Sequence, residues 1–363
     1  LIKDFLAQAV EAQASDVHLK VGQPPIYRLD SRLAKADAAT LTAEDLNELV
    51  QEILNPELRR EFLEKKEVDF AWNFRENARF RVNLFCSGGE PTLALRYVKN
   101  RVPTFEELNL PDIMRQIALS ERGIVLVGGT TGSGKSTSLA AMLNWINHHD
   151  FRRIITIENP IEYVFRDELS IISQREVGFD TLSFHSGLRT ALRQDPDVIM
   201  IGEIRDRDSV ATAMGSAETG HLIFSTLHVD NAAQSITRIL DLFPAEERAT
   251  MRLVLASTIR AVICQRLVPD VHGKVRPALE IMLNTPIVRK LITEENVEAL
   301  STAIETGGED GMVSFNQSLY NLFKAGLVDQ ETALMYASNP ETLRMNFKGI
   351  FLDNSRRIIG RSR

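Results

Sequence analysis

The sequence predicts an α/β protein of two domains: a small α+β domain, then a larger one built on a parallel sheet covered by helices. Three observations predict it. The chain has 363 residues, and at roughly 100–200 residues per domain two is the natural count. The first hundred residues mix helical patterns with hairpin-like alternating strands. From Ile124 onward, short apolar runs of the buried-strand type are separated by helical stretches.

In the first domain, Leu1, Ile2, Phe5, Leu6, Ala9 and Val10 follow helical spacing. Val17, Leu19 and Val21 alternate with Asp16, His18 and Lys20, which predicts a half-buried strand. Pro24-Pro25 breaks it, and Ile26 to Leu29 resumes as a strand. Thr42 with Asp45 reads as a helix cap ahead of Leu46, Leu49, Val50 and Ile53. Val68, Phe70 and Trp72 alternate, as do Phe80, Val82 and Leu84, and a further strand covers Leu93 to Val98. Residues 99–104 are polar with a proline and read as linker, with Thr104 and Glu107 capping the next helix. In the second domain, 124–127, 154–157, 198–201 and 221–227 are the predicted parallel strands. After about 284 the chain reads as mostly helical, and Gly307 to Gly311 is its most loop-like stretch.

Bulk composition narrows the function classes. The net charge is −7, so a broad nucleic-acid-binding surface, which usually needs a basic face, is not the default expectation. Cys86 and Cys264 are far apart and form no C-x-x-C pair, which excludes a zinc module of cysteine pairs and a disulfide framework. Two reduced core thiols fit a cytoplasmic setting. No apolar run approaches the ~18 residues a membrane span needs, and the start of the chain reads as an amphipathic helix rather than a signal peptide.

The chemistry concentrates in one motif. Gly129-Thr130-Thr131-Gly132-Ser133-Gly134-Lys135-Ser136 fits G-x-x-x-x-G-K-[ST], with a predicted strand before it and a helix from Lys135 to about Ile146 after it. Glycines let backbone N–H groups turn inward around phosphate oxygens, and the helix N-terminus adds partial positive charge. Lys135 is expected to reach the β- and γ-phosphates of ATP, Ser136 to ligate Mg²⁺, and Thr137 to complete the cradle.

Other candidates surround that loop. The apolar strand 198–201 ends in Gly202-Glu203, which predicts a carboxylate for the Mg²⁺ side. Strand 154–157 ends in Glu158, the candidate general base for an attacking water. Glu162, four residues on, reads equally as a turn charge. His221 and His228 are expected to open and close the next strand. Being seven apart they would point to opposite faces, and His228, at the carboxyl end, is the better γ-phosphate sensor. Either histidine alone is also a common structural residue. Arg79 and Arg81 share a strand face in the small domain, with Arg96 on the next strand. Arginine supplies positive charge to a transferred phosphoryl group, although such residues are often only solvated.

At this point the residues carry a resemblance. The loop, the box Glu158-Asn-Pro-Ile-Glu162, the strand end Ile201-Gly-Glu-Ile-Arg-Asp206 and the Thr219-Gly-His box resemble the ATPases of type II secretion and type IV pili. Within them the sequence is most similar to the PilT/PilU retraction branch, through the run from Ser15 to Pro25, Gln174 to Val177, and Leu188 to Asp197. The resemblance implies a PAS-like N-terminal domain (1–98), a linker (99–108), a RecA-like core (109–284) and a C-terminal helical region (285–363). It implies a homohexamer with ATP between the two domains, reached by Arg81 and Arg96. Glu158 and Glu203 match the catalytic and Mg²⁺-side glutamates.

The implied role is cytoplasmic, peripheral to the inner membrane at the pilus base. There ATP hydrolysis would act on a platform protein to drive pilus retraction, with a paralogous retraction ATPase as a further partner. No transmembrane segment and no nucleic acid are expected. The chain departs from the branch at Asn159, where Asp is frequent, and at Lys290 and Thr293, where Asn and Arg are frequent. An accessory paralogue, and an assembly or secretion ATPase, stand as alternative readings. The latter usually carries a tetracysteine module that this chain lacks.

Overall fold

The computed structural model describes residues 2–29, 32–75, 78–98 and 101–350. Leu1 of the expected first helix, Lys99 and Asn100 of the expected linker, and residues 351–363 of the expected helical tail lie outside the described residues. The chain divides into two units, Leu1–Arg101 with Glu162–Phe165, and Val102–Ile161 with Arg166–Arg363.

Alternating side chains build the first unit. Its strands are β1 (Asp16–Lys20), β2 (Ile26–Leu29), β3 (Arg32–Lys35), β4 (Glu67–Phe74), β5 (Ala78–Ser87) and β6 (Glu90–Val98). They form one antiparallel sheet in the order β3-β2-β1-β6-β5-β4. Period-two geometry sends Val17, Leu19, Val82, Leu84, Leu93 and Leu95 to one face, where they are buried with Leu6 of helix Ile2–Glu11 and Leu46 of helix Ala43–Ile53. The expected cap is a full capping box: Thr42 Oγ1 accepts from the Asp45 N–H at 3.1 Å, and Asp45 Oδ2 accepts from the Thr42 N–H at 2.8 Å. In this unit two elements were not expected from the sequence, strand β3 and helix Pro56–Lys65.

The second unit is a sheet of seven strands. These are β7 (Gly123–Gly128), β8 (Arg153–Glu158), β9 (Ile171–Glu176), β10 (Val198–Ile201), β11 (Leu222–Leu227), β12 (Ile259–Pro269) and β13 (Val275–Leu283). The order is β13-β12-β7-β11-β10-β8-β9, parallel throughout except for the antiparallel edge strand β13. Every residue of β7, β10 and β11 is buried, because helices cover both faces; this is why those strands read as unbroken apolar runs. In sequence, β8 falls between the loop strand and β10, but in space β11 takes that position and β8 lies on the far side of β10.

Helix Lys135–His149 follows β7. Arg115 fixes the short helix Phe105–Leu108 to it: its guanidinium lies over the rings of Phe105 and Trp145, at 4.9 and 4.7 Å, and pairs with Glu106 and Asp112. The region after β13 is helical as expected, and Gly308–Asp310 forms a short 3-10 turn. Among the described residues, no helix is long and apolar enough to cross a membrane.

One buried carboxylate holds the start of a helix in this unit. Glu280, on β13, accepts from the Ala232 N–H at 2.8 Å. Ala232 is the first residue of helix Ala232–Leu240, so the side chain meets a helix N-terminus. Removing it as Glu280→Ala leaves that donor without an acceptor, and we expect a loss of about 1–3 kcal/mol of stability, read by denaturant unfolding. Burial raises the Glu280 pKa above 4.5 despite the hydrogen bond from Ala232. The folded chain therefore holds this proton more tightly than the unfolded chain. The stability it contributes is present below the ordinary carboxylate range and declines as pH climbs through the raised value. Glu280→Gln should remove that decline; an unchanged pH slope in the variant contradicts the assignment.

Candidate active site

Parallel register brings the candidate residues to one edge of the sheet. Gly128 pairs with Leu227, Ile201 with Ser225, and Ile157 with Ile201. The segments after β7, β11, β10 and β8 therefore leave the sheet side by side, at its carboxyl edge, where ligands of parallel sheets bind. On that edge stand the loop from Gly129, His228, Glu203 and Glu158.

The loop wraps the start of helix Lys135–His149. Gly129 and Gly134 have φ of 147° and 86°, a region costly for residues with a Cβ. Lys135 is buried and donates from Nζ to the carbonyls of Gly129 and Thr130, each at 2.8 Å. The ammonium thus lies inside the curve of the loop. The Ser133 hydroxyl is buried without a hydrogen-bond partner. Thr130, Thr131 and Gly132 are exposed along the outer turn, and Ser136 and Thr137 sit half-buried in the first helical turn. A cavity of about 340 Å³ runs along residues 129–133 and is also lined by Asp230, Arg266 and Tyr336.

The two carboxylates differ in environment. Glu158 is 7% exposed, and its Oε1 accepts from Thr156 Oγ1 at 2.6 Å and Gln174 Nε2 at 3.0 Å. Both partners are themselves on strands, β8 and β9, so the carboxyl group is held rigidly. Glu203 is more open, with an 18% exposed side chain, and its Oε2 pairs with Arg205 Nε at 2.6 Å. The Gly202 N–H donates to the Ile157 carbonyl at 2.8 Å, locking the two strand ends together. From β11, Ser225 and Thr226 donate to the carbonyls of Ile201 and Gly202, at 2.8 and 2.5 Å. Asp206 is engaged elsewhere, capping helix Arg207–Glu218 through the Ser209 N–H at 2.8 Å.

His228 is exposed and follows β11 at the level of Gly129. His221 does not join this group. Strand β11 begins only at Leu222, so His221 precedes it at the opposite, amino edge. There its Nδ1 lies 2.9 Å from the Ser216 carbonyl and 3.2 Å from Thr219 Oγ1. The expectation that it opens the strand is thus corrected, and its ring terminates the preceding helix instead.

Arg81 and Arg96 lie in the first unit, directly opposite one another on β5 and β6. Asp16 on β1 faces Arg96 in turn, and Arg96 Nε donates to its Oδ1 at 2.9 Å. Burial alone would raise the Asp16 pKa, but the hydrogen bonds from Arg96 and Ser15 hold it below the ordinary value. Sequence reasoning assigned no part to Thr156, Gln174 or Arg205 in holding the glutamates. Gln174 stood only within a resembling box, and Thr156 is one polar residue in an apolar run.

Residues 1–308 match the family described as type II/IV secretion system protein. The chain is 41% identical over 340 residues to the type IV pilus retraction ATPase PilT of Pseudomonas aeruginosa, covering 94% of this chain and 99% of that one. It is also 41% identical over 345 residues to the type IV pilus ATPase PilU of the same organism, covering 95% and 90%. A crystal structure of the pilus retraction motor PilT with bound ADP superimposes with a TM-score of 0.86 at 40% identity, over 94% of this chain and 98% of that chain. A phosphate loop, a buried glutamate and a second glutamate on one sheet edge, in a chain matched almost end to end, place this protein in the type II/IV secretion system protein family.

Proposed function

We propose that the chain is an ATP-hydrolysing motor of type IV pilus retraction, acting as a cytoplasmic homohexamer on an inner-membrane platform protein at the pilus base. The observation that supports this best is the convergence of Lys135, Glu158 and Glu203 on one sheet edge. In this reading the loop N–H groups of residues 129–136 cradle the β- and γ-phosphates of ATP. Lys135 exchanges its two loop carbonyls for phosphate oxygens. Glu158 orients a water and takes its proton as the water oxygen bonds to the γ-phosphorus and the bond to ADP breaks. Thr156 and Gln174 keep its carboxylate aimed. His228 senses the γ-phosphate, and Arg81 and Arg96 supply positive charge to the phosphoryl group in the assembled ring.

The donor set suits Mg²⁺. Among the described residues no group of three or more His, Cys, Asp or Glu could hold a metal by itself. A hydroxyl (Ser136) and a carboxylate (Glu203) are hard oxygen donors of the kind Mg²⁺ uses together with substrate phosphates. When bound, the ion neutralises charge on the β- and γ-phosphates.

A second reading, an accessory retraction ATPase dependent on a paralogue, is favoured by the departures at Lys290 and Thr293. Identity is 41% to both PilU and PilT, which does not separate the two readings. In helix Pro286–Thr293, Lys290 pairs with Glu294 at 3.8 Å and Thr293 caps back onto the Arg289 carbonyl at 2.9 Å, at positions where the retraction branch frequently has Asn and Arg.

Two measurements test these readings. Lys135→Ala should abolish ATP hydrolysis by the purified chain, and near-normal turnover would refute the loop's role. Deletion of the gene should leave excess surface pili and no twitching motility. Bald cells would mean assembly, and normal pili with weakened twitching would mean the accessory role.

A further inference from the structure

We propose that Gln265 is a positioning residue that sets the shape of the phosphate loop from the neighbouring strand; this rests on the reading of residues 129–136 as a nucleotide-binding loop. Gln265 lies on β12, one residue past the pair Cys264–Gly128 that joins β12 to the loop strand. It is 3% exposed, a burial that a primary amide tolerates only when its hydrogen bonds are met. Both ends of the amide are met by the loop and its helix. Gln265 Nε2 donates to the Ser133 carbonyl at 2.8 Å, and Gln265 Oε1 accepts from Ser138 Oγ at 2.7 Å. A carbonyl can only accept, so the Ser133 contact fixes which end of the amide is nitrogen.

The same residue also explains two of the glycines. A Cβ on Gly129 would meet Ser133 Oγ and stand 2.6 Å from the Gln265 backbone carbonyl oxygen, and one on Gly134 would stand 2.7 Å from Gln265 Nε2. Gln265 therefore lies against the first and the last glycine of the loop at once, and holds the turn between them to the first turn of the helix through Ser138. A glycine-rich loop has more conformational freedom to lose than other backbone. A loop already held in shape presents its N–H donors without that ordering cost being met on binding. The sequence hides this because Gln265 is 130 residues downstream of Lys135 and interrupts an apolar strand.

A holding role acts on the bound phosphates in the ground and transition states alike, so it should appear in KM rather than kcat. The experiment is ADP titration by calorimetry on the full chain, with ATP kinetics, for wild type, Lys135→Ala, Gln265→Glu and Ser138→Ala. Gln265→Glu keeps the acceptor for Ser138 but sets a carboxylate oxygen against the Ser133 carbonyl. It should weaken ADP binding about 10- to 30-fold and raise KM in step, with kcat within about threefold. Ser138→Ala, a change too small to threaten the fold, should weaken ADP binding about three- to tenfold. Wild-type affinity in Ser138→Ala overturns the proposal even if Gln265→Glu misfolds, and so does a folded Gln265→Glu that binds ADP within about twofold of wild type. If wild type binds no ADP, or Lys135→Ala binds it equally well, the loop reading itself fails and the proposal with it.

Discussion

The site depends on one constraint: the in-register parallel pairing of β8, β10, β11 and β7. Parallel hydrogen bonding brings Ile157, Ile201, Ser225 and Leu126 to a common level. Whatever follows each strand then emerges on the same edge. A phosphate loop, a histidine and two glutamates separated by up to a hundred residues of chain thereby become neighbours on that edge. The register is in turn fixed by burial, since every side chain of β7, β10 and β11 is packed on one face or the other. A slip by one residue would exchange the faces of a whole strand.

On that edge the chain separates rigid parts from open ones. Glu158 is buried and held by two side chains from strands, which suits a group that must aim at a water. Glu203, by contrast, is partly open and paired with a mostly exposed arginine. The loop gains its fixed shape from β12 on one side, and β11 supplies the hydroxyls that tie down the end of β10. The candidate site residues of the second unit thus sit on strand ends and a short loop.

Much of this was legible in the sequence because its signals are local. The loop glycines, Lys135 and Ser136 fall within eight residues, and the buried strands show as apolar runs. The Thr42 cap was legible for the same reason. What was not legible depends on distant residues or on weak patterns. The placement of β11 between β7 and β10 is a matter of topology. His221 was expected to open β11, but Gly220 and His221 still belong to the turn that ends the preceding helix. Strand β3 is exposed at all four residues and so has no alternation to read. Helix Pro56–Lys65 buries none of its residues, leaving only Asn55 and Pro56 as a start signal. Strand β12 was missed because Gln265 and Arg266 break its apolar run, and one of those breaks is the residue that holds the loop.

The central claim is that a buried, pre-aimed Glu158 activates water for attack on a nucleotide held by the loop. Its most direct test is single-turnover ATP hydrolysis by Glu158→Gln, with nucleotide affinity measured on the same sample. The isosteric amide keeps the shape of the site but cannot take a proton. The account predicts unchanged ATP affinity and a hydrolysis rate lower by about 10²- to 10⁴-fold. A rate within a few-fold of wild type at unchanged affinity would contradict it and move the general base to another residue on that edge.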